Sequence, residues 1–180
     1  MAHVLGNELD HIHVPRGRSL EAMTNEATTQ IPVRLDVDRH APAFSAAMSR
    51  LDGAATKELD RVGFDARLRE LVRLRASQLN GCAYCVNMHT NDARAAGERD
   101  QRLALLPVWP ETALFDARER AALRLTESVT RCAQTHVPEA EWEAAAEHFS
   151  PDELGALVSL IVTINAWNAI GVSTRAWPVE

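Results

Sequence analysis

Glu70–His89, ELVRLRASQLNGCAYCVNMH, is the stretch on which the reading of the whole chain turns. Its first half continues a helix that Asp65 is suited to cap. Leu68, Leu71, Val72 and Leu79 form one apolar face, while Glu70, Arg73 and Ser77 fall on another stripe. Asn80-Gly81 breaks that helix, glycine being the usual residue for the left-handed terminal position. A second helix is expected to begin at about Cys82 and to run through Met88 and Ala95 until Gly97 stops it. Two thiols in a C-x-x-C therefore stand at a helix start, with His89 four residues after the second.

A thiolate is the reactive form of cysteine, so a functional thiol needs a group that favours the anion. The helix N-terminus does this for Cys82. His89 does it for Cys85, because the two lie at i,i+4 on one helix face. The residues alone do not choose between them. Glu70, twelve residues before Cys82, also has two readings. It can pair with Arg73 at i,i+3 on a solvated face. Alternatively, a tight Asn-Gly turn can bring its carboxylate to His89, where it would orient the imidazole and raise its basicity. For the C-x-x-C itself, redox catalysis competes with a metal site and with inert thiols. A structural zinc wants four ligands, and Glu70 would have to join Cys82, Cys85 and His89, an uncommon set. No second C-x-x-C is present, and the βαβ context of a thioredoxin fold is missing.

Working outward, residues 1–22 show neither apolar period and contain HVPRGRS, which looks like a thrombin-type protease site. They read as an expression tag or linker, with their three histidines set aside and Met23 as a second start. Residues 23–180 then form a single domain. From Thr24 to Arg39 the alternating Val33, Leu35 and Val37 suggest an extended arm, since no partner strands are in sight. Pro42 suits the first turn of a helix carrying Phe44, Ala47, Met48 and Leu51, with Gly53 a soft point or an end. Asp116-x-x-Glu119 and Ser150-Pro-Asp-Glu153 are capping boxes, and Pro138 opens a helix between them that carries Trp142 and Phe149. The last helix, Asp152 to Ile170, is apolar almost all round and should be a core centre or a subunit interface. Ser159, Thr163, Asn165 and Asn168 interrupt it and argue against a membrane span. The expectation is an all-α domain of about six or seven helices. Cys132 reads as a packing residue, His136 and His148 as surface or packing histidines, and the four tryptophans as core or interface aromatics, one of which could border a cleft.

The 180 residues are 46% apolar and 24% charged with net charge −6, in the range of a soluble globular protein with one core. The acidic balance and the interspersed Lys and Arg argue against a nucleic-acid partner. Three cysteines and no secretory pattern point to a reducing, cytoplasmic setting, where a C-x-x-C is more often catalytic or metal-binding than a static staple.

From about Leu35 to Trp177 the chain resembles the alkylhydroperoxidase AhpD-like group of the carboxymuconolactone decarboxylase superfamily. The resemblance is carried by RLRELVRLRASQLNGCAYCVNMHTNDARAAGE, with FDARERAALRLTE and INAWN downstream. The spacing E-x11-C-x-x-C-x3-H is specific to that group. The resemblance implies an all-helical fold assembling as trimers or hexamers. It further implies that Cys85 attacks the peroxide, that Cys82 resolves it, and that His89 and Glu70 form the proton relay. One position departs: the best-studied members carry a histidine immediately before the attacking cysteine, and this chain has Tyr84. A neutral phenol cannot lend the charge of an imidazolium.

The expected activity is that of a thiol peroxidase or related disulfide oxidoreductase acting on a hydroperoxide. A dithiol partner, such as a lipoyl domain or a thioredoxin-like protein, would reduce it, with no organic cofactor or metal and no membrane. Two alternatives stand beside it. One is a non-redox decarboxylase or lactone-type enzyme, whose branches usually lack the C-x-x-C. The other is a non-enzymatic redox-sensing or metal-stabilised oligomer.

Overall fold

The computed structural model describes residues 30–179. The expectations for residues 1–22, for Met23 and for the first part of the arm lie outside the described residues. Among the described residues there are nine α-helices and no strand. In order they are α1 (Val37–His40), α2 (Pro42–Arg61), α3 (Ala66–Asn80), α4 (Ala83–Ala95), α5 (Asp100–Leu105), α6 (Ala117–Thr130), α7 (Cys132–Thr135), α8 (Glu139–Ala146) and α9 (Pro151–Thr174). A 3₁₀ segment, Leu106–Glu111, follows α5.

The count exceeds the expected six or seven because α1 and α7 are single turns, too short to show an apolar period. Gly53 neither ends nor divides α2, which runs through it to Arg61. A helical glycine costs about 1 kcal/mol relative to alanine. Burying Leu59 completely returns about 1.5–3 kcal/mol, so packing at the far end carries the helix across. Residues 30–36 of the expected arm have no regular structure, whereas Val37–Arg39 turn into α1 behind an Asp36 cap, and the amides of Arg34 and Leu35 donate to the Thr174 carbonyl at 2.9 and 3.1 Å.

The helix starts follow their local chemistry. The Asp65 carboxylate accepts from the Leu68 amide at 2.9 Å. Asp116 with Glu119, and Ser150 with Glu153, each form a reciprocal capping box. Pro42 occupies the first turn of α2. Gly81 ends α3 at φ 69°, a conformation in which any other residue would be strained.

Helix α3 is the hub, packing on α4, α6 and α9. Leu68 and Val72 enter one core cluster with Leu125 of α6 and Leu157, Leu160 and Ile161 of α9. Leu71 and Leu74 enter a second with Ala93 of α4, Leu103, Trp109 and Leu123. Helix α9 is long and apolar enough to cross a membrane, but here one face of its Leu154–Ile164 stretch is spent on the core. Of the polar residues that interrupt it, Asn165 and Asn168 serve the α3–α4 turn, while Ser159 Oγ donates within the helix to the Gly155 carbonyl. Asn80 Nδ2 donates to Asn165 Oδ1 at 2.8 Å and to Asn168 Oδ1 at 3.0 Å. Asn168, fully buried, donates in turn to Ser77 Oγ at 3.0 Å. Polar groups buried this deeply are tolerable only when paired, so the network fixes where the turn sits on α9.

Candidate active site

The turn places Cys82 as the N-cap of α4, where its Sγ accepts from the Cys85 amide at 3.4 Å. A sulfur stands where a Ser or Asp oxygen is usual, at the positive end of the helix. Cys82 and Cys85 are joined as a disulfide, and both are buried. One turn further along α4, His89 is buried as well.

Glu70 makes both pairings that its spacing allowed, but in a buried setting and not on a solvated face. Its Oε2 lies 2.9 Å from His89 Nδ1, and its Oε1 accepts from Arg73 Nη1 at 2.5 Å. Burial pushes the Glu70 carboxyl up, but the hydrogen bond with His89 and the charge of Arg73 outweigh it and hold the group below its ordinary value. An ionised Glu70 makes Nδ1 the protonated ring nitrogen. His89 Nε2 is then the acceptor, and it is buried with no partner among the described residues. In this arrangement Nε2 is the ring atom left to take or return a proton.

The site opens into a cavity of about 610 Å³. Glu70, Arg73, Cys85 and His89 line it, whereas Cys82 does not. Cys85 therefore has atoms on the cavity wall and Cys82 does not, although the two are equally buried. Tyr84, Ile164, Trp167 and Trp177 also line the cavity. Of the four tryptophans, Trp109 is core, Trp142 is exposed, and Trp167 and Trp177 face this cavity. Their approach from the far end of α9 leaves no local signal in the sequence. Cys132 is exposed rather than packed, because α7 stands off the core, and His136 and His148 are remote from the cavity.

Asp92 also joins the group, with Oδ2 3.6 Å from His89 Nδ1, so that Glu70, His89 and Asp92 could offer three ligands to a cation. Arg73 already supplies positive charge to Glu70, which weakens that possibility. The four-ligand zinc set of Cys82, Cys85, His89 and Glu70 does not fit a joined cysteine pair, because ligation requires thiolates.

Gly171 of α9 faces Cys82. A Cβ placed there would lie 3.0 Å from Cys82 Sγ, with Trp177 ring carbons at 3.7 Å. Helix propensity alone would make Gly171→Ala stabilising by about 1 kcal/mol. The sulfur is buried and tied to Cys85, so it cannot yield cheaply, and overpacking of this kind costs about 1–3 kcal/mol. We expect the melting temperature of disulfide-form Gly171→Ala to fall by about 2–5 °C. A rise in a thermal melt would show that the contact is slack.

An all-helical body that holds a C-x-x-C at a helix start, beside a buried Glu–His pair, defines a protein with an AhpD-like fold. Residues 42–128 match the carboxymuconolactone decarboxylase family. The chain is 41% identical over 105 residues to the uncharacterized protein YdfG of Bacillus subtilis, covering 58% of this chain and 71% of that one. It is similar, at TM-score 0.77 and 34% identity, to a crystal structure of a protein of unknown function from Agrobacterium tumefaciens that is a proposed antioxidant defence protein, AhpD. That match covers 83% of this chain and all of the other. An uncharacterized peroxidase-related protein from Ralstonia eutropha with an alkylhydroperoxidase AhpD core shares the fold at TM-score 0.68 and 23% identity, over 80% of this chain and 75% of that one. The chain belongs to the AhpD-like group of the carboxymuconolactone decarboxylase superfamily.

Proposed function

We propose that the protein is a thiol-dependent hydroperoxidase in which Cys85 attacks and Cys82 resolves. The observation that carries the reading is that Cys85, and not Cys82, lines the cavity shared with the Glu70–His89 pair. In the reduced protein, the Cys85 thiolate attacks the terminal peroxide oxygen. The O–O bond breaks, an S–O bond forms, and the leaving alkoxide takes a proton delivered through His89 Nε2. The products are an alcohol and Cys85 sulfenic acid. Cys82 then attacks that sulfur, expelling water and giving the disulfide. A dithiol of the lipoyl or thioredoxin-like class returns both thiols by exchange and is itself oxidised to a disulfide. The chemistry needs no bound cofactor or metal.

The test is single-turnover oxidation of the fully reduced protein by cumene hydroperoxide, followed as thiol loss. Two thiols lost per peroxide supports the reading, and intact thiols in the presence of excess peroxide would end it.

We also propose that the protein is a homo-oligomer. Phe44 and Leu51 of α2 and Val162 and Val172 of α9 are 41–50% exposed, apolar surface of a kind that association removes from water. Light scattering at micromolar concentration should give a mass of three or six chains, and a monomeric mass would contradict the proposal.

A further inference from the structure

Resting on the peroxidase reading, we propose that Tyr84, Trp167 and Trp177 form an aryl-binding wall that selects an uncharged hydroperoxide carrying an aromatic ring. The three rings are contiguous. Tyr84 and Trp177 have centroids 5.4 Å apart at 40°, and Trp177 meets Trp167 edge-on at 5.8 Å and 65°. All three are only half-buried and line the cavity, so ring surface remains available to a guest. Tyr84 lies between the two cysteines in sequence, so a ring held on this wall is brought to the sulfur that reacts.

Size and charge point the same way. At about 610 Å³ the cavity is many times the roughly 30 Å³ that one water occupies in the liquid, and hydrogen peroxide would leave most of it filled with solvent. The two guanidinium groups at the cavity are already engaged. Arg69 Nη1 lies 2.6 Å from Asp60 Oδ1 with its Nε donating to the Phe64 carbonyl, and Arg73 is paired with Glu70. Asp52 and Asp92 add negative charge to the lining. A carboxylate-bearing hydroperoxide would find no unengaged cation here, and its desolvation would go uncompensated. Among the described residues of the cavity lining, His89 Nε2 is buried without a partner, and it suits a single hydroxyl or hydroperoxyl group.

The experiment measures binding of unreactive alcohols to the disulfide form by tryptophan fluorescence or ligand-observed NMR, so no turnover is involved. The probes are 2-phenyl-2-propanol, its saturated analogue 2-cyclohexyl-2-propanol, and phenylacetate. Ring–ring contact favours the aryl alcohol over the saturated one by about two- to tenfold. Phenylacetate should bind at least about tenfold more weakly than the aryl alcohol, since its charge has no partner. Trp167→Leu or Trp177→Leu should remove the aryl preference. Should one of these variants fail to fold, the other decides, and the wild-type ratio stands by itself. Equal affinity for the aryl and cyclohexyl alcohols, tighter binding of phenylacetate, or an aryl preference that survives the folded tryptophan variants would each overturn the proposal. A failed peroxide reaction with intact aryl binding would instead remove the peroxidase reading alone.

Discussion

Cys85→Ser should lower the rate of single-turnover reaction with cumene hydroperoxide by about a thousandfold or more, to the level of a bystander thiol. A serine hydroxyl is not ionised near neutrality and is a poor nucleophile towards peroxide oxygen. Of the remaining thiols, neither Cys82 nor the exposed Cys132 lines the cavity beside the Glu70–His89 pair, so neither has the activated setting of Cys85. Cys82→Ser makes the complementary case. Its Cys85 should react at close to the wild-type rate but stop at the sulfenic acid, which dimedone would trap and mass spectrometry would locate. Serine can also take over the capping role of Cys82, so the helix start should survive in that variant. The two variants together separate attack from resolution. A Cys85→Ser protein that consumes peroxide as fast as the wild type would reverse the roles assigned to the two sulfurs, and the helix-dipole argument for Cys82 would then carry the chemistry.

Glu70→Gln should slow the same reaction by about 10²–10⁴-fold, the usual scale for loss of a working acid–base pair. The amide keeps the shape of the carboxylate but not its charge, so it no longer dictates that Nδ1 carries the proton and Nε2 is left free. It also leaves Arg73, with a side chain only 15% exposed, without its anion, a loss of about 1–3 kcal/mol. Activity must therefore be compared at temperatures where both proteins are folded. The pH dependence has a definite sign. The native Glu70 carboxyl lies below its ordinary value, so in the folded protein it is ionised throughout the neutral range. Its contribution to stability is fully present above the unfolded carboxyl value of about 4.3 and is lost as pH falls through the lower native value. Unfolding measured between pH 7 and pH 3 should show the wild-type advantage over Glu70→Gln narrowing only below about pH 4.5. An advantage that instead grows as pH falls from 7 to 5 would mean that burial outweighs both partners and lifts the Glu70 carboxyl above its ordinary value, and a Gln variant reacting at the wild-type rate would mean that Glu70 is an ordinary partner of Arg73.

What the sequence made legible was local. The starts at Asp65, Asp116 and Ser150 and the stop at Gly81 depend on residues within four positions of one another, and each was readable without the fold. The Cys85–His89 spacing is of the same kind. Glu70 lies at the limit, because the pairing with Arg73 is local while the pairing with His89 depends on the path of the turn. Neither reading excluded the other, since a carboxylate has two oxygens. Trp167, Trp177, Asp92 and Gly171 were not identified as parts of the site. Three of them come from the last helix and the residues beyond it, more than eighty positions from the cysteines, and only the packing of α9 on α3 brings them there. Gly53 misled for the opposite reason. Its local cost is real, and burial elsewhere in α2 exceeds it.

The Asn80–Asn165–Asn168 network has a consequence for how this protein loses function on heating. Catalytic turns commonly belong to segments that open below the global transition, so enzymes often inactivate before they melt. Here the turn carrying the two sulfurs is tied to α9 by side-chain amides, that of Asn168 fully buried, and other side chains of α9 form the centre of the main core. Releasing the turn would strand polar groups in the interior, so it is locked into the same cooperative unit as the core. Inactivation and global melting should accordingly share one midpoint, and a more heat-resistant core would carry the redox centre up in temperature with it.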